Sequence, residues 1–298
     1  MIEIRTVETD ADFEAYVEVR NRIHPETPIT VEQVRGTTAG AKLDVVAYLD
    51  GEPVGAGSTS RQFDDPAAPV AYASARVLRE HRRRGIGSSI LDVLSRHARA
   101  DGRSALYVVV RLDDEDSRSY YGNRGFEEVL RMEEVRLRPA ESGVQAGSVD
   151  GLRIVRLMEE LDRAVYEAAQ EIEPDLPAGT PVAVLAFEEW HARNLGPLAI
   201  RECSFAALDG DVVAGYAILG RGAEDAADHW MTGTRRAYRG RGVARSLKQC
   251  QIAASRAAGI RELRTTNASD NLPMRRVNEG LGYRPSVTWV HLRGPLVL

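Results

Sequence analysis

The chain has 298 residues and a formal net charge of −5, with 43% hydrophobic and 28% charged residues. At roughly 150 residues per domain, this length predicts two domains, each able to bury its own core. The acidic balance argues against a general nucleic-acid binder, which needs a basic face to neutralise phosphates, and no apolar run approaches the roughly 18 residues of a membrane span.

Ile2–Val7 alternates apolar and polar residues as a half-buried strand does. It lacks a basic-then-apolar leader, which predicts a cytoplasmic protein. Ala11–His24 reads as a helix, the Pro25-Glu26-Thr27-Pro28 segment breaks it, and Thr30 caps a second helix over Val31–Gly36. Val45–Leu49 and Val54–Ser60 are strands joined through Asp50-Gly51, a pair suited to a tight hairpin turn. A third strand over Pro69–Leu78 leads into Arg82-Arg83-Arg84-Gly85-Ile86-Gly87. The helix that follows sets Ile86, Ile90, Leu94 and Ala98 in one stripe and ends at Gly102. Ala105–Val110 is short and almost wholly apolar, as a central strand is. Asp113–Asn123 is a short helix and Phe126–Leu137 a strand. Pro139–Asp150, without periodicity, is the expected linker between a domain at 1–138 and one at 151–298.

The programme then restarts. Leu152–Leu157 reads as strand and Met158–Glu171 as helix, followed by a loop rich in Pro and acidic residues and a helix near Val182–Leu195. Ser204–Leu208, Asp209-Gly210 and Val212–Leu219 make a second hairpin. Arg239-Gly240-Arg241-Gly242-Val243-Ala244 opens a helix to about Ala258. Strand Glu262–Thr266, helix Asn271–Leu281 and a last strand complete the copy. The repeat is measurable: Arg82 and Arg239 lie 157 residues apart, as do Gly125-Phe126 and Gly282-Tyr283, and the Leu-Asp-Gly hairpins at 49–51 and 208–210 are offset by 159. Each half is thus β-α-α-β-β-β-α-β-α-β, an α/β chain of the α+β type built from two mixed, mostly antiparallel sheets flanked by helices.

The repeated Arg-x-x-Gly-x-(Gly/Ala) turn carries the chemistry. A strand passing directly into a helix leaves the first backbone N–H groups unpaired. Glycines at Gly85, Gly87 and Gly242 let a ligand approach, and the helix terminus and arginines add positive charge, which together suit a diphosphate. The chain has no Gly-x-x-x-x-Gly-Lys-(Ser/Thr) phosphate loop. A dinucleotide fingerprint is excluded because position 90 is Ile and antiparallel strands precede the motif. Cys203 and Cys250 are far apart, and no histidine pair has ligand spacing, so neither a disulfide framework nor a metal site is expected.

With these motifs in place, each half resembles a GCN5-related N-acetyltransferase (GNAT) domain, and the match covers nearly the whole chain. The tandem arrangement is similar to mycothiol synthase and related double-domain members. The resemblance implies two GNAT folds in tandem, acetyl-CoA as acetyl donor, and direct N-acetyl transfer to a primary amine of a small molecule in a ternary complex. It implies that Arg82, Arg83, Arg84, Gly85, Ile86, Gly87 and Ser88 bind the diphosphate, with Arg239, Gly240, Arg241, Gly242, Val243, Ala244 and Arg245 in the second copy. Val77 and Leu78, and Thr232 and Thr234, would pair with the pantetheine arm. The family's Asn-x₆-Tyr-x₃-Gly-Phe signature becomes Asp114-x₆-Tyr121-x₃-Gly125-Phe126 in the first half and Asn271-x₆-Asn278-x₃-Gly282-Tyr283 in the second. By resemblance Asn271 contacts pantetheine and Tyr121 protonates the departing thiolate.

Each copy therefore keeps one of the two elements. Tyr121 favours the first as the catalyst, while mycothiol synthase uses its C-terminal domain. No carboxylate stands on Tyr72–Arg76 to serve as general base. Asp228-His229-Trp230 offers His229, for which a capping or surface role is an equal alternative. The acidic loop Glu171–Pro177, with Glu188 and Glu189, is either a set of carboxylates for a cationic substrate or solvated surface. The expected assembly is a monomer that is itself a pseudo-dimer, or a homodimer, with no nucleic-acid or membrane partner. The competing reading is a CoA- or acyl-CoA-binding protein in which one or both domains do not turn over.

Overall fold

A computed structural model describes residues 1–25, 28–36, 41–61, 67–176, 185–222 and 225–297. The first half of the chain runs β1 (Ile2–Thr6), α1 (Asp10–Ile23), α2 (Val31–Gly36), β2 (Leu43–Leu49), β3 (Glu52–Arg61), β4 (Val70–Val77), α3 (Ile86–Ala100), β5 (Ala105–Arg111), α4 (Glu115–Gly122) and β6 (Glu127–Leu137). The second runs β7 (Arg153–Arg156), α5 (Asp162–Ile172), α6 (Phe187–Leu195), β8 (Phe205–Asp209), β9 (Val212–Arg221), β10 (Ala226–Thr234), α7 (Val243–Ala257), β11 (Glu262–Ala268), α8 (Leu272–Gly280) and β12 (Arg284–Pro295). The element order is the one expected for two tandem copies. Of the helix expected from Val182, residues 182–184 lie outside the described residues, as do Glu26, Thr27 and Pro177.

The compact units are drawn differently from the sequence repeat. One contains Met1–Leu130 together with Trp289–Leu298, and the other contains Arg131–Thr288. Each unit is therefore completed by a strand from the other half of the sequence. The segment at 139–150 lies in the second unit and packs along α7. Arg256 donates through Nη2 to the carbonyls of Ser142 and Val144, and the Ser246 hydroxyl donates to the Ser148 carbonyl.

In the first unit, β1, β2, β3 and β4 are antiparallel neighbours. Asp50 and Gly51 turn the hairpin with φ of 53° and 88°, the twist that a two-residue hairpin turn requires. β5 runs parallel to β4 over three residue pairs only, Val70–Tyr72 against Ala105–Tyr107. Beyond Tyr72 the two strands part. Trp289–Pro295 pairs antiparallel with the far edge of β5.

The stripe Ile86, Ile90, Leu94 and Ala98 is buried as its period predicts. Burying an aliphatic side chain of this size contributes roughly 1.5–3 kcal/mol. Ala71 and Ala73 of β4, Leu106, Val108 and Val110 of β5, and Val290 and Leu292 share that core. Side chains alternate across a strand, so Tyr72, Ser74 and Arg76, with Tyr107, Val109 and Arg111 and with Trp289 and His291, face the other side. There α1 packs through Tyr16 and Val19 against Val46, Tyr48, Ala56 and Leu78.

The second unit repeats the plan. β7, β8, β9 and β10 are antiparallel neighbours. β10 is parallel to β11 over Ala226–Asp228 against Glu262–Arg264, and Met132–Leu137 pairs antiparallel with β11. Here β10 carries an irregularity between His229 and Met231 that inserts Trp230. The indole lies over Gly220, where any Cβ would overlap it. Among the described residues no helix is long and apolar enough to cross a membrane.

Candidate active site

The repeated turn has one backbone path in both units. Gly85 and Gly242 are the N-cap residues of α3 and α7, with φ of 84° and 81°. Two residues earlier Arg83 and Gly240 also take positive φ, 64° and 76°. Space does not require the glycines, since a Cβ at Gly85 or Gly242 would meet nothing within 4 Å. Conformation does, because side chains rarely adopt that region. At Gly87 a Cβ would make ordinary contact with Val77 at 3.7 Å, which fits Ala244 standing there in the second copy.

Neither α3 nor α7 has a side-chain cap or an acidic residue in its first turn. In contrast α1 is closed by a Thr9–Asp12 capping box, and α4 and α8 are capped by Asp114 and Asn271. Like α5 and α6, these helix starts have no side-chain cap, but they alone follow the repeated arginine-glycine turn, where their free donors suit an anion. The motif arginine is structural as well, since Nε of Arg82 donates to the Val77 carbonyl at 3.3 Å and Nε of Arg239 to that of Thr234 at 3.2 Å. Each arginine thus fastens its turn to the end of the preceding strand.

In the first unit this turn opens into a cleft of ≈ 840 Å³. One wall is Val77, Arg82, Arg83, Gly85, Ile86, Gly87 and Ser88, with Asp114, Tyr120, Tyr121 and Arg124 from α4 and its C-terminal turn. The cleft continues through the gap between β4 and β5 to Arg20, Ile23 and His24 of α1, and to Tyr72, Ser74, Arg76, Val109, Arg111, Trp289 and His291. Leu78 is buried beneath α1 and Arg84 is exposed at the rim. Ser88 Oγ accepts from the Arg124 guanidinium at 3.1 Å and the Tyr120 hydroxyl at 3.3 Å.

Tyr121 is buried edge-on between Tyr120 and Phe126, with ring centroids 5.1 and 5.0 Å away. Burial pushes its hydroxyl well above the ordinary tyrosine range, so it keeps its proton at neutral pH. His291 accepts or donates one bond with the Tyr107 hydroxyl at 2.8 Å, and burial lowers it to about 4, which leaves it neutral. Asp114 accepts from the Ser117 amide at 3.1 Å and hydroxyl at 2.7 Å, and Asn271 from the Met274 amide at 3.3 Å. Both are helix N-caps, a position at which Asp and Asn are interchangeable.

The second unit treats the same positions differently. Arg239 meets Asp175 at 2.7 Å, and Arg236 binds the same carboxylate. Arg241 donates to the Asp150 carbonyl at 3.2 Å, and Arg245 is exposed. Among the described residues the buried hydroxyls of Thr232 and Thr234 have no hydrogen-bond partner. Arg76 has Gly233 as its counterpart in register, since Ala56 pairs with Arg76 and Tyr216 with Gly233. Any Cβ at Gly233 would strike Ile172, the last residue of α5, at 2.3 Å.

The interior beneath α7 is polar where that beneath α3 is apolar. At the repeat offset, Leu91, Leu94, Ala98, Tyr121 and Phe126 become Lys248, Gln251, Ser255, Asn278 and Tyr283, all buried. His229 bonds the Tyr283 hydroxyl at 2.6 Å. It stands within β10 rather than at a cap, half-buried with Nδ1 enclosed, and desolvation holds it well below the ordinary histidine range. The loop carboxylates are taken up inside the unit. Glu171 and Asp175 hold arginines, while Glu173 accepts from Trp190 and Tyr216; Glu188 and Glu189 are exposed.

The first-copy residues read from the sequence thus come together along one cleft, apart from Leu78 and Arg84. Sequence reasoning missed Arg76, Trp289, His291, Asp175 and Lys248. Alternation along β4 placed Arg76 on the face opposite the alanines. Nothing near Trp289 and His291 in the sequence reveals that their strand closes the first unit.

A sequence profile described as the acetyltransferase (GNAT) family matches residues 10–126 and 158–283. No curated protein matches the sequence. Among solved structures, a GCN5-related N-acetyltransferase from Sphaerobacter thermophilus aligns with a TM-score of 0.80 at 18% identity, over 99% of this chain and 96% of that one. A tandem GNAT protein from the clavulanic acid biosynthesis pathway gives 0.77 at 21% identity, over 99% of each chain. A glucosamine N-acetyltransferase region of a fungal multi-domain β-N-acetylglucosaminidase gives 0.76 at 14% identity, over 98% of this chain and 38% of that one. At these identities the likeness to solved structures is one of fold.

Proposed function

We propose, from the premise that the chain belongs to the acetyltransferase (GNAT) family, that it transfers acetyl from acetyl-CoA to a primary amine of a small molecule. Transfer is direct, in a ternary complex, and the working site is the unit of residues 1–130 and 289–298. The observation that carries this is the continuous cleft from the Arg82–Ser88 turn past Tyr121 to the α1 face.

The residues fit the donor. The uncapped start of α3, the left-handed Gly85 and the arginines at 82–84 suit a diphosphate. The parted edge of β4 at Val77 offers backbone groups to an extended amide arm. When bound, acetyl-CoA supplies an acetyl thioester. These groups would hold it, and the Tyr121 hydroxyl, which lines the cleft and keeps its proton, would serve as acid for the departing thiolate. A thiol of reference pKa about 8.5 is a tolerable leaving group, and a positioned acid typically adds about 10²–10⁴-fold.

A second reading applies to the other unit, as a CoA-binding or structural copy that does not turn over. Asp175 on Arg239, Asn278 in place of a tyrosine, and Ile172 closed over Gly233 favour it. The deciding measurement is thiol release from acetyl-CoA with a panel of primary amines, alongside acetyl-CoA binding by calorimetry. Release that depends on an amine supports the proposal. Tight binding with no release from any amine leaves the binding-protein reading.

A further inference from the structure

The acceptor half of the cleft has a definite charge. On the α1 face its lining is Tyr72, Ser74, Arg76, Arg111, Trp289 and His291, with Arg20 and His24 from the end of α1. Among the described residues this half contains no carboxylate. The two that line the cleft, Asp114 and Asp116, belong to the start of α4 at the opposite end, and Asp114 is already occupied by Ser117 and Arg82. His291 is neutral at physiological pH. Of the guanidinium groups on this side, that of Arg111 is already held by Asp113 at 2.7 Å, which leaves Arg76 to be considered.

Arg76 is the informative one. It projects from β4 beyond the point where β4 leaves β5, is half-buried, and makes no hydrogen bond or ion pair among the described residues. A partly desolvated guanidinium that the fold leaves unpaired is costly unless an anion completes it. The other copy shows that the fold does not need an arginine there, since Gly233 and Ile172 fill the place. The same cleft is lined by two aromatic side chains, Tyr72 and Trp289, and by Ser74, whose buried hydroxyl has no hydrogen-bond partner among the described residues.

We infer that the acceptor is a primary amine carrying an anionic group, a carboxylate or a phosphate, and that Arg76 is the residue that pairs with that group. This rests on the acetyl-transfer reading of the same cleft. Polyamines and cationic antibiotics are disfavoured, since they would bring positive charge against Arg76 with no carboxylate to receive it. The reacting nitrogen loses a proton before attack, and the anion fixes the opposite end of the molecule by a bidentate pair.

The test uses matched amines with the full-length chain: amino acids against their amides, amino-sugar phosphates against the unphosphorylated sugars, and spermidine. Thiol release and calorimetric binding of each amine are measured for wild type, Arg76→Gln and Arg76→Lys. Anionic members are expected to bind at least tenfold tighter than their neutral partners. Arg76→Gln should raise KM for them at least tenfold, Arg76→Lys should restore part of that, and acetyl-CoA affinity should not move. Which anionic series is preferred separates carboxylate from phosphate. Equal binding of neutral and anionic partners, tight binding of spermidine, or an Arg76→Gln variant with unchanged KM and amine affinity would overturn the inference. Arg76-dependent binding of anionic amines without thiol release would keep it and remove acetyl transfer instead.

Discussion

Asp175 lies 2.7 Å from the guanidinium of Arg239, whereas Arg82, at the same place in the other unit, has Asp114 no nearer than 3.7 Å. An internal carboxylate thus stands close against the second of the two turns that suit a diphosphate, and only at the outer reach of an ion pair against the first. Its hydrogen bonds to Arg236 and then Arg239 hold it far below the ordinary carboxylate range, so it is charged at any working pH.

Asp175→Asn should therefore strengthen the second turn toward acetyl-CoA. The pair is solvent-facing, and such pairs are weak, so the gain is a few-fold at most. Calorimetry should show one dominant acetyl-CoA site per chain in the wild type and a strengthened second site in the variant. Two equal sites in the wild type would defeat the idea.

Tyr121→Phe keeps the packing against Tyr120 and Phe126 and removes only the proton. Turnover should fall by about 10²–10⁴-fold with acetyl-CoA affinity unchanged. Unchanged turnover means that the sulfur leaves without help from this residue.

How much of this was legible in the sequence depends on how local each feature is. Thr30 caps α2 through Gln33, and the Asp50-Gly51 hairpin and the Ile86–Ala98 stripe form as written, because each is fixed by residues a few positions apart. The glycines at 85 and 242 were visible, but their reason is left-handed backbone rather than ligand clearance. The exchange of closing strands was invisible, since Trp289 and His291 line a cleft whose other walls lie 165 or more positions earlier, and no local pattern encodes a partner at that distance. The polar interior of the second unit was hidden for a different reason. Lys248 and Gln251 look like an ordinary solvated helix face until Tyr283 and His229 are seen beneath them.

The replacement of the family's Asn by Asp114 should be nearly silent for folding. Asp114→Asn retains the acceptor for the Ser117 amide and should leave the melting temperature in place. Asp114→Ala loses the cap, costing about 0.5–2 kcal/mol, or roughly 2–4 °C per kcal/mol for a domain of this size. A large drop in Asp114→Asn would mean that the charge itself matters, through Arg82.

Lys248 gives the second unit a pH dependence of known sign. Its side chain is fully buried, its Nζ lies 5.1 Å from the centre of the Tyr283 ring, and burial alone lowers it to about 7. In the unfolded chain the same amine titrates near 10.4. Between these values the unfolded state holds one more proton than the folded state, so stability rises with pH by up to about 1.4 kcal/mol per unit. Below pH 7 both states are protonated and the full cost of the buried charge is present at a constant level. Lys248→Met, similar in shape and neutral, should thus be more stable than wild type by up to about 5 kcal/mol at pH 7. The gap should narrow by about 3 kcal/mol on going to pH 9.5. Denaturant unfolding in a Trp289→Phe background reads this unit specifically, because the remaining tryptophans, Trp190 and Trp230, both lie within it. A gap that stays constant between the two pH values would mean that Lys248 keeps its proton inside the fold, and that its charge is met by a group bound there.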